Sequence, residues 1–204
     1  MLETTWQAVV ELWIQGGWLM IPLAALALAI YISCFELYYY LAQFRLRVNP
    51  EQAEAWLERP EGPPGEWARL LAFARDGATH SREVRRRFEE VRASYLPRLD
   101  RRVQFLAVLV AAAPLTGLFG TVLGMLATFR GISLGGAAPT ADLVAGGISQ
   151  ALITTQTGLV IAIPGFVLLA LVRRRRLVFE GLLAHLESRI LQQFEDGNAK
   201  EAAA

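Results

Sequence analysis

The sequence has little of the chemistry that enzymes and secreted proteins rely on. Its 204 residues include one cysteine, Cys34, and two histidines, His80 and His185. A single cysteine cannot form an intrachain disulfide, and the two histidines lack the spacing of metal ligands. The glycines form no phosphate-binding loop after a strand pattern. We therefore expect no metal, no cofactor and no catalytic site.

Charged residues are missing from three long apolar stretches. Residues 12–35, 103–129 and 143–172 contain no Asp, Glu, Lys, Arg or His. About 20 consecutive apolar residues are enough to cross a bilayer, so each stretch predicts a transmembrane helix. The composition, with 54% hydrophobic residues and a mean hydropathy of +0.35, excludes an ordinary soluble domain.

Basic residues are absent before the first apolar stretch, so the start of the chain does not resemble a cleaved signal. Of the 20 Lys and Arg residues, 13 lie between Phe44 and Arg102, six follow Val172, and Arg130 stands alone. Positive charge marks the cytoplasmic side of a membrane protein. We expect the N-terminus outside, and the Arg-rich segment and C-terminus inside. Acidic residues are interleaved with the arginines of residues 81–92, which indicates a solvated helix and no nucleic-acid site.

The sequence thus predicts an all-α membrane protein with three transmembrane helices, two of them extended into a cytoplasmic helical bundle. A short amphipathic helix precedes the first span and bends at Gly16 and Gly17. The expected segments are an outer amphipathic helix over 1–17, transmembrane helices over 18–41, 103–129 and 143–172, a cytoplasmic helical segment over 42–102, an outer loop over 130–142, and a cytoplasmic helix and tail over 173–204.

The cytoplasmic segments carry helical signals. Asn49, followed by proline, predicts a helix start. The glycines and prolines of Gly62–Gly65 predict a break, and Glu66 begins a second short helix. Ser81 can cap a third helix, which we expect to run on into the membrane despite Pro97. Apolar residues recur at helical spacing along this third helix and again after the last span. The two stripes are Val84, Phe88, Val91, Tyr95 and Leu99, and Phe179, Leu182, Leu183, Leu186 and Ile190.

Small and polar residues concentrate in the second and third spans. Helical spacing places small residues on one face of each span. These faces are Gly117, Thr121, Gly124 and Thr128, and Gly147, Ala151, Thr154, Gly158, Ala162 and Gly165. Close helix packing explains the glycines and alanines, because small residues let helices approach each other in lipid. The hydroxyl and amide cluster at Ser149, Gln150 and residues 155–157 favours a partly hydrated cavity, since such groups are costly in hydrocarbon.

A titratable group is missing from the middle of the second and third spans. Thr and Gln can orient water, but a gated proton carrier inside a membrane is normally a carboxylate. If protons pass here, the acid must come from another polypeptide. Glu36, near the inner end of the first span, is interpreted as a hydrated carboxylate at the interface.

Two long motifs resemble a known family. The segments APLTGLFGTVLGMLATF, residues 113–129, and GISQALITTQTGLVIAIPG, residues 147–165, are similar to the second-span and third-span signatures of the MotA/TolQ/ExbB proton channel family. Three spans, with a large segment between the first two, place the resemblance in its ExbB and TolQ branch.

The resemblance implies a homopentamer around a central pore in the bacterial inner membrane, with a periplasmic N-terminus and a cytoplasmic C-terminus. It also implies a single-span partner similar to ExbD or TolR, whose membrane aspartate would supply the missing acid, and action on a TonB-like protein. The family's pore threonines map onto Thr121 and Thr155, and we count Thr128 and Gln150 as further pore-lining candidates. The residues assigned to helix packing are Gly117, Gly120, Gly124, Gly147, Gly158, Pro114 and Pro164.

The function implied is that of an ExbB-like motor subunit that uses the proton motive force to energise TonB-dependent transport across the outer membrane. A TolQ-like subunit for envelope maintenance is one alternative. A non-conducting membrane scaffold is another, and it is favoured by Gln150, which stands where many ExbB-like proteins carry a titratable glutamate.

Overall fold

The computed structural model describes residues 2–44, 65–75, 80–134 and 140–202, and every regular element in these ranges is helical. The elements are α1, Leu2–Gly16; a 3₁₀ helix, Gly17–Leu19; α2, Met20–Gln43; α3, Glu66–Arg75; α4, Ser81–Leu134; and α5, Thr140–Ala202. Within the described ranges, three helical stretches are long and apolar enough to cross a membrane: Val10–Gln43, Ser81–Ser133 and Val144–Glu195. The prediction of an all-α chain with three spans is confirmed for these residues.

The bounds of α4 and α5 show how far a helix can continue beyond its apolar part. The expected helix from Ser81 into the second span is present, and α4 runs without a break through Pro97 and Pro114. The link expected over 130–142 is helical at both ends, because α4 continues to Leu134 and α5 begins at Thr140. The expected helix start at Asn49 lies outside the described residues.

The chain divides into two compact units, and the first comprises residues 1–34 and 105–169. Its buried side chains include Leu23, Ile30, Val110 and Ala162. The bend expected at Gly16 and Gly17 coincides with the 3₁₀ helix, where Gly17 has a φ of 69°. Such a left-handed conformation favours glycine because it has no Cβ atom. Large apolar side chains cover the outside of this unit, among them Ile21, Leu28, Leu115, Phe119, Leu152 and Ile163.

The second unit comprises residues 35–104 and 170–204, and an aromatic cluster lies in its core. Phe44, Trp67 and Phe179 are buried and pack edge to face or tilted, with ring centroids 4.8–6.0 Å apart. The indole N–H of Trp67 donates to the Phe44 carbonyl oxygen at 2.6 Å. The two apolar stripes predicted from helical spacing are buried in this unit, apart from Tyr95, which is half-buried.

Ion pairs join α4 and α5 within the second unit. Arg176 donates to both carboxylate oxygens of Asp100, at 2.7 and 3.0 Å, and also pairs with Glu180. The hydrogen bond to Asp100 raises the pKa of the Arg176 guanidinium further above its usual value. Arg92 pairs with Glu187 at 2.6 Å, and the Glu187 residue is only 9% exposed.

Candidate functional site

The backbones of α4 and α5 approach each other closely in the first unit. A Cβ atom added at Gly158 would lie 2.7 Å from the Ala113 carbonyl oxygen, and one added at Gly117 would lie 2.9 Å from the Thr154 carbonyl oxygen. Real Cβ atoms do not come within 3.0 Å of other heavy atoms in this way. Glycine is therefore required at both positions if the two helices are to keep this distance.

The same contact extends along several turns of both helices. A Cβ atom at Gly124 would lie 2.7 Å from the Gly147 carbonyl oxygen, and one at Gly147 would collide with the Thr128 side chain. A Cβ atom at Gly120 would collide with the Thr154 hydroxyl. All five glycines assigned to packing from the sequence thus lie at this interface. Of the two prolines assigned with them, Pro114 is half-buried and Pro164 is exposed.

Threonine hydroxyls line the contact. The hydroxyl of Thr155 donates to the Gly117 carbonyl oxygen across the two helices at 3.1 Å. Thr154 is fully buried, and its hydroxyl lies 3.0 Å from the Ala151 carbonyl oxygen and 3.5 Å from that of Gly117. Sequence reasoning placed Thr154 on the small-residue face but did not assign it as a site residue.

Thr121 and Thr128 use their hydroxyls within α4. Thr121 donates to the Leu118 carbonyl oxygen at 2.7 Å, and Thr128 donates to that of Met125 at 2.6 Å. The two differ in burial, because Thr128 is only 3% exposed whereas Thr121 is half-buried. Among the four candidates for pore lining, Thr121 and Thr155 are thus half-buried beside the α4–α5 contact, and Thr128 is enclosed in it.

Gln150 lies on another side of α5. Its amide group is placed directly against Gly17, where a Cβ atom would collide with the amide nitrogen. The α1–α2 segment contacts the same side of α5 further along, since Ile153 lies beside Gly16 and the Tyr31 hydroxyl donates to the Ile161 carbonyl oxygen at 3.4 Å. The structure therefore separates Gln150 from Thr155.

The direction of Thr155 follows from helix geometry. At roughly 100° per residue, its side chain points at least about 120° away from those of Gln150, Ile153 and Ile161. Thr155 is half-buried, so the α4–α5 pair carries a hydroxyl-bearing edge on the side that α2 leaves uncovered.

The chemistry of this edge is limited to hydrogen bonding and water orientation. Residues 105–129 and 143–169 contain no acid or base, and the described part of the chain holds no cluster of three or more His, Cys, Asp or Glu that could bind a metal. Hydroxyl groups donate and accept hydrogen bonds but do not take up a proton near neutral pH. A proton that passes along this edge needs an acid from elsewhere.

Comparison with known proteins supports a single family. The MotA/TolQ/ExbB proton channel family matches residues 67–183, more than half of the chain. The biopolymer transport protein ExbB-like 3 of Synechocystis sp. is 35% identical over 162 residues, which cover 72% of this chain and 77% of that protein.

Shorter matches involve both named branches of the family. The Tol-Pal system protein TolQ of Haemophilus influenzae is 47% identical over 66 residues, or 32% of this chain and 28% of TolQ. The biopolymer transport protein ExbB of Salmonella typhimurium is 36% identical over 107 residues, or 46% of this chain and 43% of ExbB. Given these matches and three helices of spanning length, the chain is a multi-pass protein of the bacterial inner membrane and belongs to the MotA/TolQ/ExbB proton channel family.

Proposed function

We propose that the chain is the proton-conducting subunit of a membrane motor, and that it works as a homopentamer around a central pore. In this arrangement the hydroxyl edge formed by Thr121 and Thr155 faces the pore. The observation that carries the proposal is the position of these two threonines, which lie half-buried beside a tight helix contact in spans that contain no acid or base. Threonines in such surroundings can hold water in an otherwise apolar passage.

The proton carrier then belongs to a second polypeptide. A single-span partner similar to ExbD or TolR would place a membrane aspartate in the pore, where the threonine hydroxyls orient it and its water. Gln150 cannot titrate and its amide lies against Gly17, and residues 143–169 of α5 contain no carboxylate. Its contact with Gly17 supports a role in holding α5 against the α1–α2 turn.

The motor would energise TonB-dependent transport across the outer membrane. The ExbB-like relative that covers most of the chain supports this choice. The TolQ match supports a second candidate function, that of a Tol-Pal-type motor for envelope maintenance. A TonB-like or a Tol-like gene beside the genes for this chain and its partner would discriminate between the two.

Thr121 offers a clean test of conduction, because its hydroxyl bonds only within its own helix among the described contacts. Thr121→Val keeps the shape of the side chain and removes the hydroxyl. We expect the variant to assemble normally but to lose most of its proton flux in vesicles that contain the chain and its single-span partner. The measurement is the quenching of a pH-sensitive dye inside such vesicles under an imposed gradient.

Thr116→Val is the matched control. The Thr116 hydroxyl also donates within α4, to the Ala112 carbonyl oxygen at 2.9 Å, so the chemical change is the same. At roughly 100° per residue, Thr116 lies about 140° around the helix from Thr121. Normal flux in both variants would contradict the pore assignment, whereas a loss in both would point to a general effect on α4.

A further inference from the structure

Glu36 is the only charged residue of α2, and it lies on an exposed apolar face. Its neighbours on that face are large, with Phe35 70% exposed and Tyr39 61% exposed. Glu36 is exposed and forms no ion pair or hydrogen bond with the residues that the structure describes. A carboxylate at the membrane interface, beside large apolar side chains, is favoured by a nearby cation, so a cationic partner suits this face.

The arginine run Arg173–Arg176 divides into two tethered and two exposed side chains. Arg175 donates to the Tyr38 hydroxyl at 2.9 Å and stacks over its ring at 3.9 Å, while Arg176 is held by Asp100 and Glu180. Arg173 and Arg174 are exposed, and no acidic residue in the described ranges pairs with them. Consecutive residues of a helix point about 100° apart, which explains this division.

The unpaired acid and the two exposed arginines lie at a similar height in the second unit. Tyr38 contacts Arg175, and six residues further along the chain, just after α2, the ring of Phe44 packs on that of Phe179 with centroids 4.8 Å apart. The two helices therefore run in the same direction here. Glu36 precedes Tyr38 by two residues, and Arg173 precedes Arg175 by two. At about 1.5 Å per residue, the two contacts place Glu36 within about 5 Å of the height of Arg173 and Arg174.

We propose that Glu36 forms an ion pair with Arg173 or Arg174 of a second copy of this chain. The inference rests on the homo-oligomer of the proposed function and names one of its contacts. Copies related by an axis parallel to the helices keep every residue at its own height. An exposed acid and an exposed base at similar height on one chain are therefore brought to a similar level on neighbouring copies, where their opposite charges attract each other.

Cross-linking between differently tagged chains tests the contact directly. In full-length protein with the native cysteine removed by Cys34→Ser, one tagged chain carries Glu36→Cys and the other carries Arg173→Cys or Arg174→Cys. A short bifunctional thiol cross-linker added to membranes should give a linked dimer that carries both tags, because an Arg–Glu ion pair holds its two backbones further apart than a disulfide can span. Pairing Glu36→Cys with Arg101→Cys is the control, because Arg101 is an exposed arginine on α4. Absence of the mixed dimer at both arginine positions, or a stronger product with Arg101→Cys, would overturn the proposal.

Charge reversal gives an independent readout. Glu36→Arg should reduce the fraction of oligomer at equal protein concentration by about tenfold, because like charges at an interface repel. Adding Arg173→Glu and Arg174→Glu to the Glu36→Arg chain should restore that fraction. Glu89→Arg, an exposed position on α4, makes the same charge change elsewhere and should leave the oligomer unchanged. No rescue by the combined variant would contradict the ion pair.

Native mass spectrometry of the Cys34→Ser protein separates this inference from the proposed function. If the Cys34→Ser protein without further substitutions stays monomeric under mild detergent, the homo-oligomer itself is overturned. An intact oligomer without the mixed dimer overturns only the Glu36 contact. In that case an ammonium-bearing lipid headgroup becomes the better partner for this acid.

Discussion

Gln150 shows how the partner of a residue decides its role. The amide lies against Gly17, a residue whose φ of 69° already restricts the position to glycine. The sequence placed Gln150 in a polar cluster with Thr155, five residues away. It could not reveal that the α1–α2 turn occupies one side of α5, because that turn is distant in the chain.

Replacement of Gln150 and of Thr155 should have unequal effects. Gln150→Glu keeps the size of the side chain and restores the residue that many ExbB-like proteins carry, so it should be tolerated better than Thr155→Val. Thr155→Val removes the hydroxyl that donates to Gly117, at a cost of about 1 kcal/mol in stability, and should also sharply reduce proton-driven work. The measurement is energy-dependent uptake at matched membrane levels, together with the melting temperature in detergent. Full activity of Thr155→Val would mean that its hydroxyl serves packing alone.

Neighbouring threonines illustrate the limit of sequence reasoning at this scale. Helical spacing predicted that Thr154 shares the face of Gly158 and Gly147, and the structure buries it completely. Spacing could not predict that the Thr155 hydroxyl also reaches the Gly117 carbonyl, because this depends on how near the two backbones come. That distance is set jointly by glycines on both helices.

At the scale of the helix, the α4–α5 contact predicts that Gly158 cannot be replaced without loss of stability. Gly158→Ala would place a Cβ atom 2.7 Å from the Ala113 carbonyl oxygen and 3.2 Å from the Gly117 Cα atom. Both are backbone atoms, so the helices must separate. We expect a loss of about 1–3 kcal/mol in stability, as for other overpacked contacts, measured by thermal denaturation in detergent.

Gly146→Ala is the control on the same helix, since a Cβ atom there meets nothing within 4 Å. Alanine favours a helix over glycine by about 1 kcal/mol, so this variant should be neutral or slightly more stable. Equal destabilisation by both substitutions would show that the close approach at Gly158 is not the cause of the loss of stability.

Helix ends were harder to predict than helices. The link between the last two spans was expected over 130–142, yet α4 continues to Leu134 and α5 begins at Thr140. A charged residue marks the end of the apolar part of a helix, but the helix itself can continue beyond it. Its backbone hydrogen bonds are made within the helix and do not require apolar side chains. The apolar stripes of the second unit were predictable because their spacing is a local property.

At the scale of the molecule, the second unit depends on Trp67, which is buried and donates to the Phe44 carbonyl oxygen. Trp67→Ala should destabilise the protein by about 3–5 kcal/mol, and Trp67→Phe by less because the ring contacts largely remain. Chemical denaturation of the purified protein measures both. Phe73→Ala is the control, because Phe73 lies on the same helix but is 48% exposed. It should lower the stability much less than Trp67→Ala. An equal loss of stability would argue against a special role for the aromatic cluster of Phe44, Trp67 and Phe179.

The orientation of the chain in the membrane is a prediction from its arginines. In a Cys34→Ser background, a cysteine at position 137 should react with an impermeant reagent from the periplasm, whereas one at position 78 should react only after the cytoplasmic side is opened. Both positions lie outside the described residues. The reverse pattern would show that the N-terminus faces the cytoplasm.

The contact between α4 and α5 has a mechanical consequence. Where packed helices slide, the side chains between them change rotamer and absorb the movement. Here Gly117, Gly158, Gly124 and Gly147 bring backbone close to backbone. The rotatable side chains in the contact include Thr128 and Thr154, which are short, buried and hydrogen-bonded to carbonyl oxygens. We therefore expect the two helices to move together in this stretch, with little sliding between them.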